Sequence, residues 1–402
     1  MINIYLIEKC ERELTNEFKA LEDIALYNQE KVLCAFKNNK IALRHFMGSS
    51  GYGYGDDGRD TLNHLFAEIF RAEASICSPY IVSGTHAISL CLYGVLRPND
   101  TILSISGGVY DTLNDVISGD NNGSLKDFGI KFESVGLRNG DFDFETIKIK
   151  LTELSPKMVY IQRSRGYEWR NALSIPQIEN AVNFLRDNGF DGCIMLDNCY
   201  GEFTDKKEAI EVGVNLAAGS LIKNAGGGIA PTGGYVVGDK KYVDMVSNRL
   251  TAPSIGGEVG SYEAGYRYFY QGLFLAPHTV LQALKGAMLF CKVLHESGYN
   301  VSPNPHDLPH DIVTMIEFGD KEKLISFIQS IQENSPIDSN VKVLPWKMPG
   351  YEDPVIMAAG CFVQGASIEL SADAPIKPPY IAYLQGGITY EHCKIALKNL
   401  KL

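Results

Sequence analysis

Four short stretches carry side chains that could do chemistry together. Ser83-Gly84-Thr85-His86-Ala87 leads into the apolar Ile88, Leu90, Cys91 and Leu92 of a helix, so a small polar turn opens onto free helix-start N–H groups. Such a terminus suits a phosphate, but each N–H or dipole adds only about 0.3–1 kcal/mol, so several must converge on a dianion. Tyr110, in Gly107-Gly108-Val109-Tyr110, follows an apolar run and offers an aromatic plate. Cys193-Ile194-Met195-Leu196 ends in Asp197, a carboxylate at the edge of a strand-like run. Lys223 stands after Ser220-Leu221-Ile222 and before Asn224-Ala225 and three glycines, company that surface lysines seldom keep. Burial there is expected to lower its pKa and make it a nucleophile.

Singly, each has an ordinary use: a helix cap, a core aromatic, a turn residue, a solvated lysine. Jointly, and in this chain order, they form the set that pyridoxal phosphate chemistry requires. A cup takes the phosphate, a plate stacks on the ring, a carboxylate keeps the pyridine nitrogen protonated, and a lysine holds the cofactor as a Schiff base.

Side chains so far apart in sequence need a scaffold that gathers them. Tyr80-Ile81-Val82, Thr101–Ile105, Met158–Ile161, Cys193–Leu196 and Tyr235–Val237 read as buried strands, separated by helical or loop segments. Strands apolar on both faces predict a mostly parallel sheet covered on each side, a doubly wound α/β unit whose ligands bind beyond the carboxyl ends of the strands. Helical spacing runs through residues 8–44, and Asp60 is a candidate cap for a helix through Leu62, Leu65, Phe66 and Ile69. A long apolar helix is expected from Glu258 to Ser297, kinked or interrupted at Pro277. Ile312–Ile316, a helix over 321–333, a strand-like Ala366–Leu370 and a last helix from 389 predict a smaller α+β unit. The division expected is an N-terminal helical segment and loop over 1–60, a cofactor-binding α/β domain over 61–260, and a linking helix with a small domain over 261–402.

Composition narrows the function classes. With 402 residues, a net charge of −11 and a pI near 5.3, the chain argues against nucleic-acid or anionic-membrane surfaces, which need clustered Lys and Arg. Nine cysteines without CxxC spacing read as reduced thiols in a cytoplasmic setting. No secretory pattern or uninterrupted apolar span of about 20 residues is visible. His306-Asp307-Leu308-Pro309-His310 offers histidines four apart, but its proline spoils a regular helix and no metal site is expected.

Gly51-Tyr52-Gly53-Tyr54-Gly55-Asp56-Asp57-Gly58-Arg59-Asp60 lacks the upstream strand that a dinucleotide fingerprint needs. Together with Ser83–Ala87, Gln162-Arg163-Ser164-Arg165-Gly166-Tyr167, Leu196–Tyr200, Ser220–Pro231, Ile255–Glu258 and Ala382–Gly387, it resembles the fold-type I pyridoxal-phosphate enzymes of cysteine and methionine metabolism. The resemblance is narrowest to the methionine γ-lyase-like "aluminium resistance protein" family, and it covers nearly the whole chain. It implies Lys223 as the Schiff-base lysine, Asp197 as the pyridinium partner, Ser83, Gly84, Thr85 and Ser220 around the phosphate, and Tyr110 on the ring. It also implies a homodimer or homotetramer with shared active sites, in which Tyr52 or Tyr54 reaches the neighbouring subunit's phosphate.

The chain departs from the better-known lyases at two places. Their cross-subunit tyrosine is followed two residues later by an arginine, where this chain has Tyr54 or Asp56, leaving Arg59 as the stand-in. Their C-terminal arginine for the substrate carboxylate is replaced by Ser367-Ile368-Glu369-Leu370-Ser371, so Arg163, Arg165, Arg267 or Lys377 is expected to take that role. The activity implied is carbon–sulfur elimination from a small sulfur-containing amino acid, with Lys223 moving the Cα proton and Tyr110 protonating the leaving thiolate. Transamination, racemisation, aldol cleavage and non-catalytic cofactor or metal binding are the alternatives.

Overall fold

The structure, a computed structural model, describes residues 2–348 and 351–401. Two helices open the chain, α1 (Ile4–Glu13) and α2 (Thr15–Asn38), followed by α3 (Asp57–Ile69). The α3 cap is Asp56 rather than the expected Asp60: its carboxylate accepts the Arg59 N–H at 3.0 Å. Asp60 lies within the first turn and pairs with the Arg59 guanidinium at 2.8 Å.

The first unit then alternates strands and helices: β1 (Ala74–Ser78), α4 (Gly84–Val95), β2 (Thr101–Ser104), α5 (Asp111–Ser118), β3 (Lys131–Ser134), the short hairpin β4 (Leu137–Arg138) and β5 (Asp141–Phe142), and α6 (Phe144–Leu154). It continues through β6 (Met158–Gln162), α7 (Ile175–Asp187), β7 (Cys193–Asp197), β8 (Leu216–Ser220), β9 (Gly234–Gly238) and α8 (Lys240–Leu250). The sheet order is β1-β9-β8-β7-β6-β2-β3. Strands β3, β2, β6, β7 and β8 run parallel, whereas β9 is antiparallel to both its neighbours. Every residue of β6, β7, β8 and β9 is buried, as a sheet covered on both faces requires.

One local expectation is corrected, and one strand carries no sequence signal. Tyr80-Ile81-Val82 is not a strand: β1 ends at Ser78, and Val82 is 70% exposed in the turn that leads to α4. Strand β8, which delivers the chain to Lys223, is built from Leu216-Ala217-Ala218-Gly219-Ser220 and lacks the β-branched residues that mark a strand in sequence.

Helix α9 (Arg267–Glu296) starts later than expected and continues through Pro277. It is long and apolar enough to cross a membrane, but 67% of its most apolar window is buried inside the fold, where it serves as the central core helix. Beyond it come β10 (Asn300–Ser302), β11 (Val313–Glu317), α10 (Lys321–Glu333), β12 (Val355–Ala358), β13 (Ser371–Pro375), β14 (Ile381–Gln385) and α11 (Tyr390–Lys398). These strands form an antiparallel sheet in the order β10-β11-β14-β13-β12. The expected strand at Ala366–Leu370 is absent because the Glu369 carboxylate accepts the N–H groups of Phe362 and Val363, at 2.9 and 3.0 Å, closing a turn there instead.

Candidate active site

Parallel pairing fixes where the polar strand ends meet. Gln162 and Asp197 are register partners at the carboxyl ends of β6 and β7, and β8 ends beside them at Ser220. They open on a cavity of about 280 Å³ that also receives Ser83, Gly84, Thr85, Tyr110 and Lys223 from the first unit and Asp373 and Tyr383 from the second. The residues expected to surround the cofactor within one chain are thus brought to one place.

At the start of α4, Ser83 Oγ accepts the His86 N–H at 3.0 Å, which leaves the Gly84 and Thr85 amides without intrahelical acceptors. Glycine is needed at 84 for space. A Cβ there would stand 3.0 Å from Cys199 Sγ and 3.9 Å from Lys223 Nζ, filling the floor of the cup. Thr85 Oγ1 lies 3.1 Å from the Tyr110 hydroxyl and 3.3 Å from Thr112 Oγ1, and the Tyr110 N–H donates to Gln162 Oε1 at 3.2 Å. Burial, the Asp197 charge and the Cys199 thiolate form push the Tyr110 phenol well above its usual pKa, so it keeps its proton.

Asp197 is 2% exposed, and its Oδ1 accepts the Cys199 N–H at 3.0 Å. Burial raises its pKa, while Lys223 and the Cys199 N–H pull the other way. Lys223 is half-buried with its amine 4.0 Å from the centre of the Tyr200 ring. Here the expectation of a lowered pKa is corrected. Burial does work downward, but the anionic forms of Cys199, Tyr200, Asp197 and Tyr110 outweigh it and hold the ammonium well above its ordinary value. The glycines after Lys223 serve packing: a Cβ on Gly227 would stand 2.2 Å from Gly272 O, so the lysine loop lies directly on the α9 backbone.

This donor set fits pyridoxal phosphate. Two free helix-start amides and the hydroxyls of Ser83, Thr85 and Ser220 suit a dianion, the Gly84 hollow leaves it room, and a buried carboxylate and an amine face the same cavity.

The cations expected to bind a substrate carboxylate lie elsewhere. All five Arg163 N–H groups are engaged, by Leu173 O, Asn198 Oδ1, Gly201 O, Thr204 Oγ1 and Asp205 Oδ2. Arg165 makes a fork with Asp311, at 3.1 and 3.2 Å, and reaches Ser302. Arg267 is exposed over Tyr268, and Lys377 pairs with Asp353 at 3.1 Å on an adjacent groove. His306 and His310 diverge to Glu17 and Asp205. Tyr52 and Tyr54, 74% and 70% exposed, do not line this chain's own cavity; their loop is held by Ser261, and Arg59 bonds to Gly53 O.

Sequence reasoning missed the residues that complete the walls: Cys199, Tyr200, Tyr167, Asp373, Tyr383 and Gln385. Cys199 and Tyr200 could have been found as immediate neighbours of Asp197 at a strand's end. Asp373, in Ser371-Ala372-Asp373-Ala374-Pro375, carries no comparable signal.

The chain is similar to known proteins over nearly its whole length. A family model described as methionine gamma-lyase matches residues 3–401. The crystal structure of a carbon–sulfur lyase involved in aluminium resistance from Clostridium novyi NT is 49% identical, covers 98% of this chain and 95% of its own, and superposes with a TM-score of 0.94. A Clostridium acetobutylicum structure, described as a candidate cystathionine β-lyase involved in aluminium resistance, is 48% identical over 98% of this chain and 94% of its own, with a TM-score of 0.95. The uncharacterised protein YnbB of Bacillus subtilis (strain 168) is 46% identical over 97% of this chain and 93% of its own. At 16% identity, the pyridoxal-5'-phosphate dependent protein YhfS from Escherichia coli covers 95% of this chain and 96% of its own with a TM-score of 0.63, sharing the fold-type I architecture alone. Matches of this identity, running almost from end to end, establish that the chain belongs to the methionine gamma-lyase family.

Proposed function

We propose that the protein is a pyridoxal-phosphate-dependent lyase that cleaves the carbon–sulfur bond of a sulfur-containing amino acid, working in the cytoplasm as a homodimer or homotetramer. The observation that carries this reading is the meeting of the α4 amides, Tyr110, Asp197 and Lys223 in one cavity. Ser83, Gly84, Thr85 and Ser220 would hold the phosphate, Tyr110 would lie against the ring and Asp197 would face its nitrogen. When bound, the cofactor supplies an electron sink for the substrate's Cα.

The chain's own residues supply the proton steps. Lys223, in its neutral form, takes the Cα proton and carries it on the ammonium. Tyr110 is the group we assign to protonate the departing thiolate; burial raises its phenol pKa and opposes that transfer, while the neighbouring Lys223 ammonium lowers it and favours the transfer. The Tyr52–Tyr54 pair, ring centres 5.7 Å apart on the outer surface, is available to a neighbouring subunit's site, which supports the shared-site reading.

Borohydride reduction of the cofactor-loaded protein followed by peptide mass spectrometry tests the cofactor assignment. Phosphopyridoxyl mass on Lys223 supports it, and its absence at saturating cofactor overturns it. Incubation with cystathionine, methionine and cysteine tests the reaction: 2-oxo acid and ammonia in equal amounts support elimination, whereas an amino-group transfer product would replace it.

A further inference from the structure

The cavity has an unusual charge inventory for a site that receives amino acids. Among the described residues its lining holds one cation, Lys223, against three carboxylates, Asp111, Asp197 and Asp373, and no arginine. Asp197 lies beside Lys223 at the end of β7. Asp373 comes from β13 in the other sheet. Its Oδ2 accepts the Tyr167 hydroxyl at 2.8 Å and Gln385 Nε2 lies 3.5 Å from Oδ1, and neither neighbour is a cation. A carboxylate in such a place costs free energy unless an opposite charge reaches it.

Its surroundings suit an ammonium. The rings of Tyr167, Tyr200, Tyr351 and Tyr383 line the same cavity, and aromatic faces attract a desolvated cation. We propose that Asp373 makes this cavity select amino acids whose distal arm carries a second ammonium group. A diamino thioether such as L-cystathionine meets that description. Methionine and cysteine do not, since each would leave the Asp373 carboxylate facing an apolar or empty wall. As a statement about substrates this rests on the proposed lyase reaction, but the binding preference itself is measurable without turnover.

The titratable groups that face Asp373 are Tyr167, Tyr200, Tyr351, Tyr383 and Lys223, and Asp111 and Asp197 share the cavity, their carboxyls likewise raised by burial. Burial raises all four phenols and Lys223 is likewise raised, so none of them changes charge between pH 5 and 7.5. Burial brings Asp373 to about 6, inside that window.

The test uses L-lysine and L-2-aminoheptanoate, equal in length and differing only in a terminal ammonium or methyl, with no sulfur to lose. Their dissociation constants for the cofactor-saturated protein are measured by calorimetry. Wild type is expected to prefer lysine at least about tenfold at pH 7.5 and to lose that preference toward pH 5, while Asp373→Asn brings the ratio near one at every pH. Proton effects on the shared α-amine cancel in the ratio. A wild-type ratio at or below one, or a ratio unchanged in the variant, overturns the proposal. If the variant does not fold, the wild-type pH profile decides alone, a flat profile overturning the proposal. Failure to form 2-oxo acid from L-cystathionine would remove the lyase reading and leave this ratio standing.

Discussion

Lys223 Nζ sits 4.0 Å from the centre of the Tyr200 ring, which is itself held in a left-handed backbone conformation with φ 72° and anchored by its hydroxyl to Ser367 at 3.2 Å. The ring face thereby positions the amine at the mouth of the phosphate cup. Lys223→Ala is expected to lower turnover by at least roughly 10³-fold without changing the circular dichroism spectrum or melting temperature appreciably. Steady-state assays and a thermal melt on the same preparation check this, and activity within tenfold of wild type would remove Lys223 from the mechanism.

Tyr200→Phe keeps the aromatic face and loses one hydrogen bond, so kcat is expected to fall by less than about fivefold. Tyr200→Ala removes the face, worth about 0.5–2 kcal/mol to a nearby cation, and should cost about tenfold more. Equal effects from the two variants would assign the role to the hydroxyl.

Gly84→Ala introduces a methyl 3.0 Å from Cys199 Sγ and 3.5 Å from Ser220 Cβ. The backbone there is ordinary helix, so stability should change by less than about 1 kcal/mol. Cofactor affinity should fall at least about tenfold, because the methyl occupies the floor of the cup. Fluorescence titration with pyridoxal phosphate reads the affinity directly.

Glu202 is fully buried, its Oε1 accepts the Tyr235 hydroxyl at 2.8 Å, and burial raises its pKa to about 8 from an ordinary 4.5. Below pH 4.5 the group is neutral whether folded or unfolded. Between 4.5 and 8 the folded protein holds a proton that the unfolded chain releases, so this contribution to stability is lost as pH rises through that window. Glu202→Gln should flatten that decline in denaturant-melt stability between pH 5 and 8. An unchanged slope would show that Glu202 is ionised in the fold.

Arg163→Ala is expected to act on stability, by about 3–5 kcal/mol, because it strands the Asp205 carboxylate and several buried acceptors. Lysine should not restore it, since one ammonium cannot replace five directed donors. A melt that stays near wild type while KM for substrate rises tenfold would return Arg163 to the substrate-binding role expected from sequence.

Much of the site was legible because its parts stand where a strand stops. Cys193–Asp197 and Met158–Gln162 are unmistakable apolar runs, and parallel packing brings their polar ends together whatever the intervening loops do. The fate of the arginines was not legible. Arg165 pairs with Asp311, 146 residues away, and nothing local distinguishes a guanidinium answered at that range from one left for a ligand. Asp373 stayed hidden for another reason: Ser-Ala-Asp-Ala-Pro reads as a turn, and only pairing with β12 and β14 makes it a strand that presents a carboxylate to the cavity. Small residues concealed β8 in the same way.

The five hydrogen bonds of Arg163 tie Leu173, at the approach to α7, to the segment 198–205 that follows Asp197. That segment therefore has no private route to fraying. Deuterium exchange at the Cys199 and Gly201 amides should be as slow as in the strands beneath them, so the rim of the cavity and the central sheet open as a single cooperative unit.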